Sequence, residues 1–124
     1  MNTRNTRQKD IIYQTLSEMD SHPTILELYE AVKDRDASVG QATVYRNVSK
    51  LIEEGMVFKI LTSDGCCHYD ANSRQHVHFF CNHCHRLFDL YDIDLKFLDK
   101  QVKNSKYKVD SFYVLFEGIC DKCR

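Results

Sequence analysis

The sequence has no apolar run long enough to cross a membrane. A transmembrane helix needs about 18 or more consecutive apolar residues, and the 124 residues contain no such stretch. The first residues, MNTRNTRQKDII, also lack the apolar segment of a signal peptide. We therefore expect a cytoplasmic protein with no membrane partner, in which the six cysteines are reduced.

The chain also has a small net charge and a single proline. The formal net charge is -1, so no overall excess of positive charge indicates nucleic-acid binding, and any DNA contact must come from a local patch. The only proline is Pro23. Because no later proline marks a hinge, the best candidate for one is the segment ANSRQ at 71–75. The hydrophobic content of 43% is enough for one compact unit, or for two very small ones that must support each other. We expect a cross-link or a binding partner to add stability.

The first half of the chain predicts three short helices and a hairpin. Apolar residues recur at helical spacing in three stretches. They are Ile12, Leu16 and Met19; Ile25, Leu28, Tyr29 and Val32; and Val44, Val48, Leu51 and Ile52. After Gly55 the pattern changes to two strands, MVFKILTS and CCHYD, around the turn Asp64-Gly65. Three helices followed by a hairpin predict a winged helix-turn-helix.

The second half mixes strands with a helix. HVHFF and RLFDL indicate strands on either side of the turn CNHC, and YKVDSFYVLFEGIC indicates a long β-rich segment. Between them, DIDLKFLDKQVKN predicts a helix with four residues toward a core: Ile93, Phe97, Leu98 and Val102. The predicted fold class is therefore α/β of the α+β kind, with a winged-helix domain at 1–70, a hinge at 71–75 and a small α/β domain at 76–124.

The third predicted helix carries polar side chains away from its apolar stripe. They are Thr43, Tyr45, Arg46, Asn47 and Lys50, and Arg7 adds a basic side chain upstream. Residues of these types reach phosphates and base edges, and a bidentate contact of Arg46 with guanine provides about 1–3 kcal/mol of discrimination. A solvated face of an ordinary helical bundle explains the same pattern. Periodicity alone leaves both interpretations open.

Four cysteines form two C-x-x-C pairs. They are Cys81, Cys84, Cys120 and Cys123. In a reducing compartment, two such pairs predict a tetrahedral zinc site of four thiolates, which has no open position and is therefore structural. The alternative is a pair of redox-active dithiols. The adjacent Cys66 and Cys67 lie in the predicted hairpin and are interpreted as packing residues.

Histidines and carboxylates around the first cysteine pair indicate a second metal site. The candidates are His22, Asp70, His76, His78 and Asp89. Strand alternation puts His76 and His78 on one face, and Asp89 lies on the returning strand. A nitrogen and carboxylate set suits Fe(II), Mn(II) or Zn(II), although ordinary polar residues around a hairpin explain the same pattern. His83 and His85 are expected to be exposed residues of the cysteine turn.

Five segments together resemble the ferric uptake regulator family in order and spacing over nearly the whole chain. They are RNTRQKDIIYQTL, SHPTILELYEAV, ATVYRNVSKLIEEG, HVHFFCNHC and CDKC. The combination of the ATVYR helix with the H-x-H-x-x-C-x-x-C run makes the resemblance specific. It implies a homodimeric repressor that binds double-stranded operator DNA, with an N-terminal winged helix, a C-terminal α/β dimerisation domain and a divalent metal as corepressor.

Within this family the chain resembles the peroxide-sensing branch. The resemblance implies that a regulatory Fe(II) or Mn(II) binds His22, Asp70, His76, His78 and Asp89, in addition to the structural Zn(II) on the four cysteines. Many iron-uptake and zinc-uptake regulators carry Glu at one or both Asp positions, so the two aspartates favour a peroxide sensor. The branch further implies that peroxide oxidises His22 or His76. Arg46 after Tyr45 is a departure, because the best-known peroxide sensors have Asn there.

We therefore expect a repressor that binds operator DNA when Fe(II) or Mn(II) is bound and is released when peroxide oxidises a ligand histidine. The first alternative is an iron-responsive or zinc-responsive uptake repressor without peroxide sensing. A small metallohydrolase using His76, His78 and an acid is an alternative of another class, but it lacks an evident general base and leaves the ATVYR helix unexplained. Metal storage would predict metal binding without DNA affinity. We expect no enzymatic activity and no organic small-molecule substrate.

Overall fold

Three helices form the first part of the chain, as their apolar spacing predicts. The structure, a computed structural model, describes residues 3–19, 21–71, 77–109 and 112–124. The helices are α1 (Thr3–Ser17), α2 (Ile25–Arg35) and α3 (Gln41–Glu53). Their predicted apolar sides are confirmed, because they meet in one core that also includes Val39 and Val57.

The ends of the helices follow from short-range hydrogen bonds and from glycine. Thr24 begins α2 with a capping box, in which its side chain accepts from the Glu27 N–H while Glu27 Oε1 accepts from the Thr24 N–H at 3.0 Å. Gly40 precedes α3 without a side-chain cap. After α3, Gly55 has a φ of 75°, a left-handed conformation that glycine adopts without a steric cost. The helical segment therefore ends where the sequence predicts.

A hairpin of two antiparallel strands follows the helices. Its strands are β1 (Phe58–Leu61) and β2 (Cys67–Asp70), and Gly65 in the turn has a φ of 85°. The predicted hairpin, and with it the winged helix-turn-helix, is confirmed. The interpretation of Cys66 as a packing residue is wrong, because β2 begins only at Cys67 and the Cys66 side chain is exposed in the turn. Cys67 packs against the helical core.

The second part of the chain is a three-stranded sheet with one helix. Its elements are β3 (Val77–Cys81), β4 (Leu87–Leu90), α4 (Lys96–Lys103) and β5 (Val114–Gly118). The strand order is β4-β3-β5, with β3 antiparallel to β4 and parallel to β5. A parallel neighbour requires a crossover connection, and α4 lies in the connection between β4 and β5. The α+β fold class is therefore confirmed.

The apolar side of α4 is exposed, contrary to the sequence expectation. Phe97 is 67% exposed and Leu98 41%, and Val102 is half-buried. Ile93, which the sequence placed in the same helix, precedes α4 and is 43% exposed. The spacing predicted the helix correctly, but an amphipathic pattern states only that a helix has an apolar side and not which surface covers it. The predicted core position of these residues is wrong for the single chain.

The chain divides into two compact units, residues 1–73 and 74–124. Apart from Ala71, the predicted hinge at 71–75 lies outside the described residues. Among the helices that the structure describes, none has both the length and the apolar composition that a bilayer crossing requires.

Two leucines of α2 provide a matched test of the core. Leu28 is fully buried, whereas Leu26 is 53% exposed. We expect Leu28→Ala to lower the free energy of unfolding by about 2–5 kcal/mol, because it leaves a cavity in the core. Leu26→Ala should change it by less than about 0.5 kcal/mol. Urea unfolding followed by circular dichroism measures both values, and equal losses in the two variants would contradict this core.

Candidate metal centres

Four cysteines of the second unit lie together. Their sulfur atoms are within 4.8 Å of one another, and they belong to Cys81, Cys84, Cys120 and Cys123. Cys84 Sγ and Cys120 Sγ are 3.8 Å apart. Cys81 and Cys120 are buried, and none of the four forms a disulfide. The structure thus brings together all four residues that the two C-x-x-C pairs predicted as zinc ligands.

The pairing of β3 with β5 explains this cluster. The two strands are parallel neighbours with Cys81 opposite Gly118. Their carboxyl ends therefore lie side by side, and both C-x-x-C turns follow the strands at the same end of the sheet. The Asn82 N–H donates to the carbonyl of Gly118 at 2.8 Å, which connects the first turn to the second strand. The other turn is closed by the Cys123 N–H, which donates to the carbonyl of Cys120 at 3.1 Å.

The thiols in this cluster have unequal pKa values. The N–H groups of Cys84 and Cys120 point at Cys81 Sγ, each at 3.4 Å, and such bonds to the charged form lower the pKa of Cys81 to about 5. Burial raises the pKa of Cys84. The side chain of Cys120 raises the pKa of Cys123 to about 12. A cation that binds here must therefore displace the protons of Cys84 and Cys123.

The geometry of the cluster fits a structural zinc ion. Zinc–thiolate bonds are about 2.3 Å long, so two sulfur atoms at the corners of a zinc tetrahedron are about 3.8 Å apart. This value matches the 3.8 Å between Cys84 Sγ and Cys120 Sγ. Four thiolates also leave no open position for a substrate. The cluster thus fits the structural role that the sequence predicted.

In the first unit, the buried His22 lies beside the half-buried Asp70. Nε2 of His22 lies 3.3 Å from Oδ2 of Asp70, and His22 is 3% exposed. His22 lies between α1 and α2 with a φ of 54°, a left-handed conformation that costs residues other than glycine about 1–2 kcal/mol. Residues in such conformations concentrate at functional sites. The fold therefore places this imidazole in a specific and costly position beside a carboxylate.

Strand β2 holds the loop that carries His22. Nδ1 of His68 lies 2.8 Å from the carbonyl oxygen of His22, and Nδ1 is the donor because a carbonyl can only accept. The next residue, Tyr69, donates its N–H to the carbonyl of Pro23 at 2.9 Å. His68 was not among the residues predicted from the sequence. The signal that could have indicated it is the order His68-x-Asp70, since alternate residues of a strand share one face.

His78 and Asp89 form a second pair, in the second unit. They stand directly opposite each other on β3 and β4, and His78 Nδ1 is 3.3 Å from Asp89 Oδ1. His78 is 4% exposed. The Tyr91 hydroxyl donates to the other carboxylate oxygen, Oδ2, at 3.2 Å, a contact that the sequence did not indicate. Each unit thus contains one buried histidine next to one aspartate.

The remaining histidines of the cysteine region differ from this pattern. His76 lies outside the described residues, so its place among the ligands stays a prediction. His83 and His85 are exposed, as expected for the cysteine turn. The backbone of His85 is in the left-handed conformation with a φ of 60°. The centroid of its ring lies 5.9 Å from the centroid of the Phe80 ring.

The polar side of α3 contains exposed residues and half-buried residues that form hydrogen bonds within the helix. The exposed members of the predicted DNA-contacting set are Arg7, Tyr45, Arg46 and Lys50. Thr43 and Asn47 are half-buried. Thr43 Oγ1 accepts from Arg46 Nη2 at 3.1 Å, and Asn47 Nδ2 donates to the Thr43 carbonyl at 2.9 Å. These two side chains therefore interact within the helix.

The chain matches the model of a known protein family. The model of the ferric uptake regulator family matches residues 1–116. The chain belongs to this family. The match includes four of the five motifs and ends before CDKC at 120–123, and it confirms the resemblance. Members of the ferric uptake regulator family are metal-responsive repressors rather than enzymes.

Several bacterial proteins are similar to this chain. The peroxide-responsive repressor PerR of Staphylococcus epidermidis is 25% identical over 122 residues, which cover 98% of this chain and 81% of the relative. The Campylobacter jejuni peroxide stress regulator has 30% identity and a TM-score of 0.81, over 98% of this chain and 92% of that one. The Helicobacter pylori ferric uptake regulator Fur shares the fold with 21% identity and a TM-score of 0.76, over 94% of this chain and 79% of that one.

Removal of one cysteine tests the zinc site that the four cysteines fit. We expect Cys81→Ser to purify without zinc, because the remaining thiolates leave the tetrahedron incomplete, and to lose folded structure, because structural zinc contributes to folding. Cys66→Ser is the matched control and should retain zinc, since Cys66 is exposed and lies outside the cluster. Elemental analysis and circular dichroism provide the readouts. Full zinc content in Cys81→Ser would contradict the assignment.

Proposed function

We propose that this chain is a transcriptional repressor that binds operator DNA as a homodimer when Fe(II) or Mn(II) is bound. Peroxide releases it from DNA by oxidising a ligand histidine. The observation that carries the proposal is the presence of two buried histidines that each lie next to an aspartate, His22 beside Asp70 and His78 beside Asp89. Each pair alone has too few ligands for a stable site, and the two pairs belong to different compact units.

The donor chemistry supports the choice of metal. The proposed ligands are His22, Asp70, His76, His78 and Asp89, which are imidazoles and carboxylates without sulfur. Such a set suits Fe(II) and Mn(II), whereas four thiolates suit zinc. In both described pairs a carboxylate oxygen lies 3.3 Å from an imidazole nitrogen, so each aspartate can orient its histidine or share the metal with it.

A metal that binds all five ligands would couple the two units. His22 and Asp70 precede the predicted hinge at 71–75, and the other ligands follow it. The metal therefore has its highest affinity for the arrangement of units in which all the ligands meet. Such a difference in affinity between conformations is what a ligand needs to shift a conformational equilibrium. DNA affinity then depends on the metal concentration.

Helix α3 is the proposed recognition helix. Tyr45, Arg46 and Lys50 are exposed on it, and the bond from Arg46 to Thr43 orients the guanidinium before DNA arrives. In dimeric helix-turn-helix repressors, this helix enters the major groove, and the two half-sites lie about 34–36 Å apart or a multiple of that distance. Arg46 can donate two hydrogen bonds to one guanine there.

Exposed apolar residues of the second unit support a homodimer. They lie on and near α4 and β5, and they include Ile93, Phe97, Leu98, Phe116 and Ile119. Among the described strands, β5 has a neighbour only on the side of β3, so its other edge can pair with a further strand. Large apolar patches usually mark interaction surfaces, and a second copy of this chain supplies a matching patch and edge.

The peroxide response requires a ligand histidine that can be oxidised. Fe(II) bound to the proposed ligands would activate H2O2 for cleavage of its O–O bond near an imidazole, whereas Mn(II) would support repression without this reaction. In the net reaction, a ring C–H becomes C–OH and the second oxygen atom leaves as water, so the ring is oxidised and the peroxide is reduced. The proposed targets are His22 and His76. The relatives named for peroxide response support this branch of the family.

Measurement of DNA binding with and without Mn(II) tests the proposed repressor function. The Mn(II)-loaded protein selects its operator from a pool of random DNA duplexes, and the sequence should be palindromic because a dimer reads two half-sites. We expect Asp89→Ala to lose Mn(II)-dependent binding in fluorescence anisotropy, because it lacks a carboxylate ligand. Asp92→Ala is the matched control, since Asp92 is an exposed aspartate of the same segment. Wild-type binding that does not respond to Mn(II) would disprove the proposal.

Anaerobic loading with Fe(II) separates a peroxide sensor from an iron-responsive repressor. We expect H2O2 to abolish DNA binding by the Fe(II) form and to add one oxygen atom to His22 or His76, as measured by mass spectrometry of peptides. The Mn(II) form, treated identically, should keep its DNA affinity and gain no oxygen. Loss of binding without an adduct, or persistent binding, would remove the peroxide response and favour an iron-responsive or zinc-responsive repressor.

A further inference from the structure

The backbone of His22 has a conformation that residues other than glycine rarely adopt. Its φ of 54° is left-handed, and its side chain is 3% exposed. It lies in the short connection between the end of α1 at Ser17 and the start of α2 at Ile25. A residue other than glycine keeps such a conformation only when surrounding contacts determine it. The position of this imidazole therefore depends on those contacts.

Strand β2 supplies contacts to this loop from three consecutive residues. His68 Nδ1 donates to the carbonyl of His22 at 2.8 Å, and the Tyr69 N–H donates to the carbonyl of Pro23 at 2.9 Å. Asp70 Oδ2 lies 3.3 Å from His22 Nε2. One strand thus holds both the main chain and the side chain of His22.

His68 is well suited to hold the main chain. It is 8% exposed, so water competes little for its hydrogen bond. Its other ring nitrogen, Nε2, is buried and has no hydrogen-bond partner in the described part of the chain. The hydrogen bond to His22 is therefore the polar contact that accounts for a histidine at this position.

We propose that His68 is a positioning residue that sets the affinity of the regulatory metal through the main chain of His22. The inference rests on the proposed metal site. Without the hydrogen bond from His68, the loop relaxes from its left-handed conformation and the His22 imidazole leaves the position in which it binds metal. Residues that orient metal ligands typically change metal affinity by about 10-fold to 100-fold, and we expect an effect in this range.

Two substitutions at His68 separate hydrogen bonding from packing. Leucine fills similar space but cannot donate, whereas asparagine places an N–H at the position of Nδ1 relative to the main chain. We expect the Kd for Mn(II), measured by titration calorimetry on the zinc-loaded protein, to rise about 10-fold or more in His68→Leu. In His68→Asn it should stay within about 3-fold of wild type, and at saturating Mn(II) both variants should bind the selected DNA with wild-type affinity.

Ile60→Val controls for a general loss of stability in the hairpin. Ile60 is fully buried and stands opposite His68 in the β1–β2 pair, so the substitution weakens the hairpin and keeps the hydrogen bond to His22. Its Kd for Mn(II) should equal that of wild type. An equal rise of Kd in Ile60→Val, or in His68→Asn and His68→Leu alike, would assign the effect to stability and overturn the inference.

His22→Ala distinguishes failure of this inference from failure of the proposed function. If His22→Ala loses Mn(II) binding while His68→Leu binds as tightly as wild type, the metal site stands and the positioning role is wrong. If His22→Ala itself binds Mn(II) as tightly as wild type, the proposed site is wrong.

Discussion

The parallel pairing of β3 with β5 is the interaction on which the second unit depends. β3 is the central strand, and β5 reaches it only after α4. Their pairing brings the two C-x-x-C turns to one edge, and zinc on the four thiolates then keeps the strand ends together. Few large apolar side chains of this unit are buried among the described residues, namely Val77, Phe80, Leu87 and Leu95. The metal therefore supplies stability that so small a core does not.

The first unit positions its proposed ligands by a different route. Here three helices and a hairpin share one core, and the proposed ligand His22 lies in a connection between two helices. The Thr24 capping box fixes the start of α2 on one side of it, while β2 contributes His68, Tyr69 and Asp70 on the other. Movement of the hairpin relative to the helices would therefore displace the ligand. The DNA-binding fold and the proposed half-site depend on the same contacts.

The predictable parts of the structure are those that depend on local pattern. Helix spacing, the cap at Thr24 and the turns at Gly55 and Gly65 each reflect physics within a few residues. The cluster of four cysteines was predictable because C-x-x-C spacing itself reflects how one metal is coordinated. The exposure of Phe97 was not, because apolar spacing does not say whether the covering surface belongs to the same chain.

His68 shows a second limit of sequence reasoning. Its partner is a main-chain carbonyl 46 residues away, and main-chain atoms leave no trace in the type of side chain at the other end. The pairing of His78 with Asp89 was easier to predict, because a short hairpin puts the two residues opposite each other.

The interval of three residues between His78 and Cys81 separates two chemistries that would otherwise interfere. Successive side chains of a strand point to opposite faces, so this odd interval puts the imidazole and the thiolate on opposite sides of the sheet, about 10 Å apart along β3. Thiolates are oxidised readily, and the proposed peroxide reaction takes place among the histidines. The sheet acts as a partition, so an oxidation that ends DNA binding can spare the sulfur atoms that keep the unit folded.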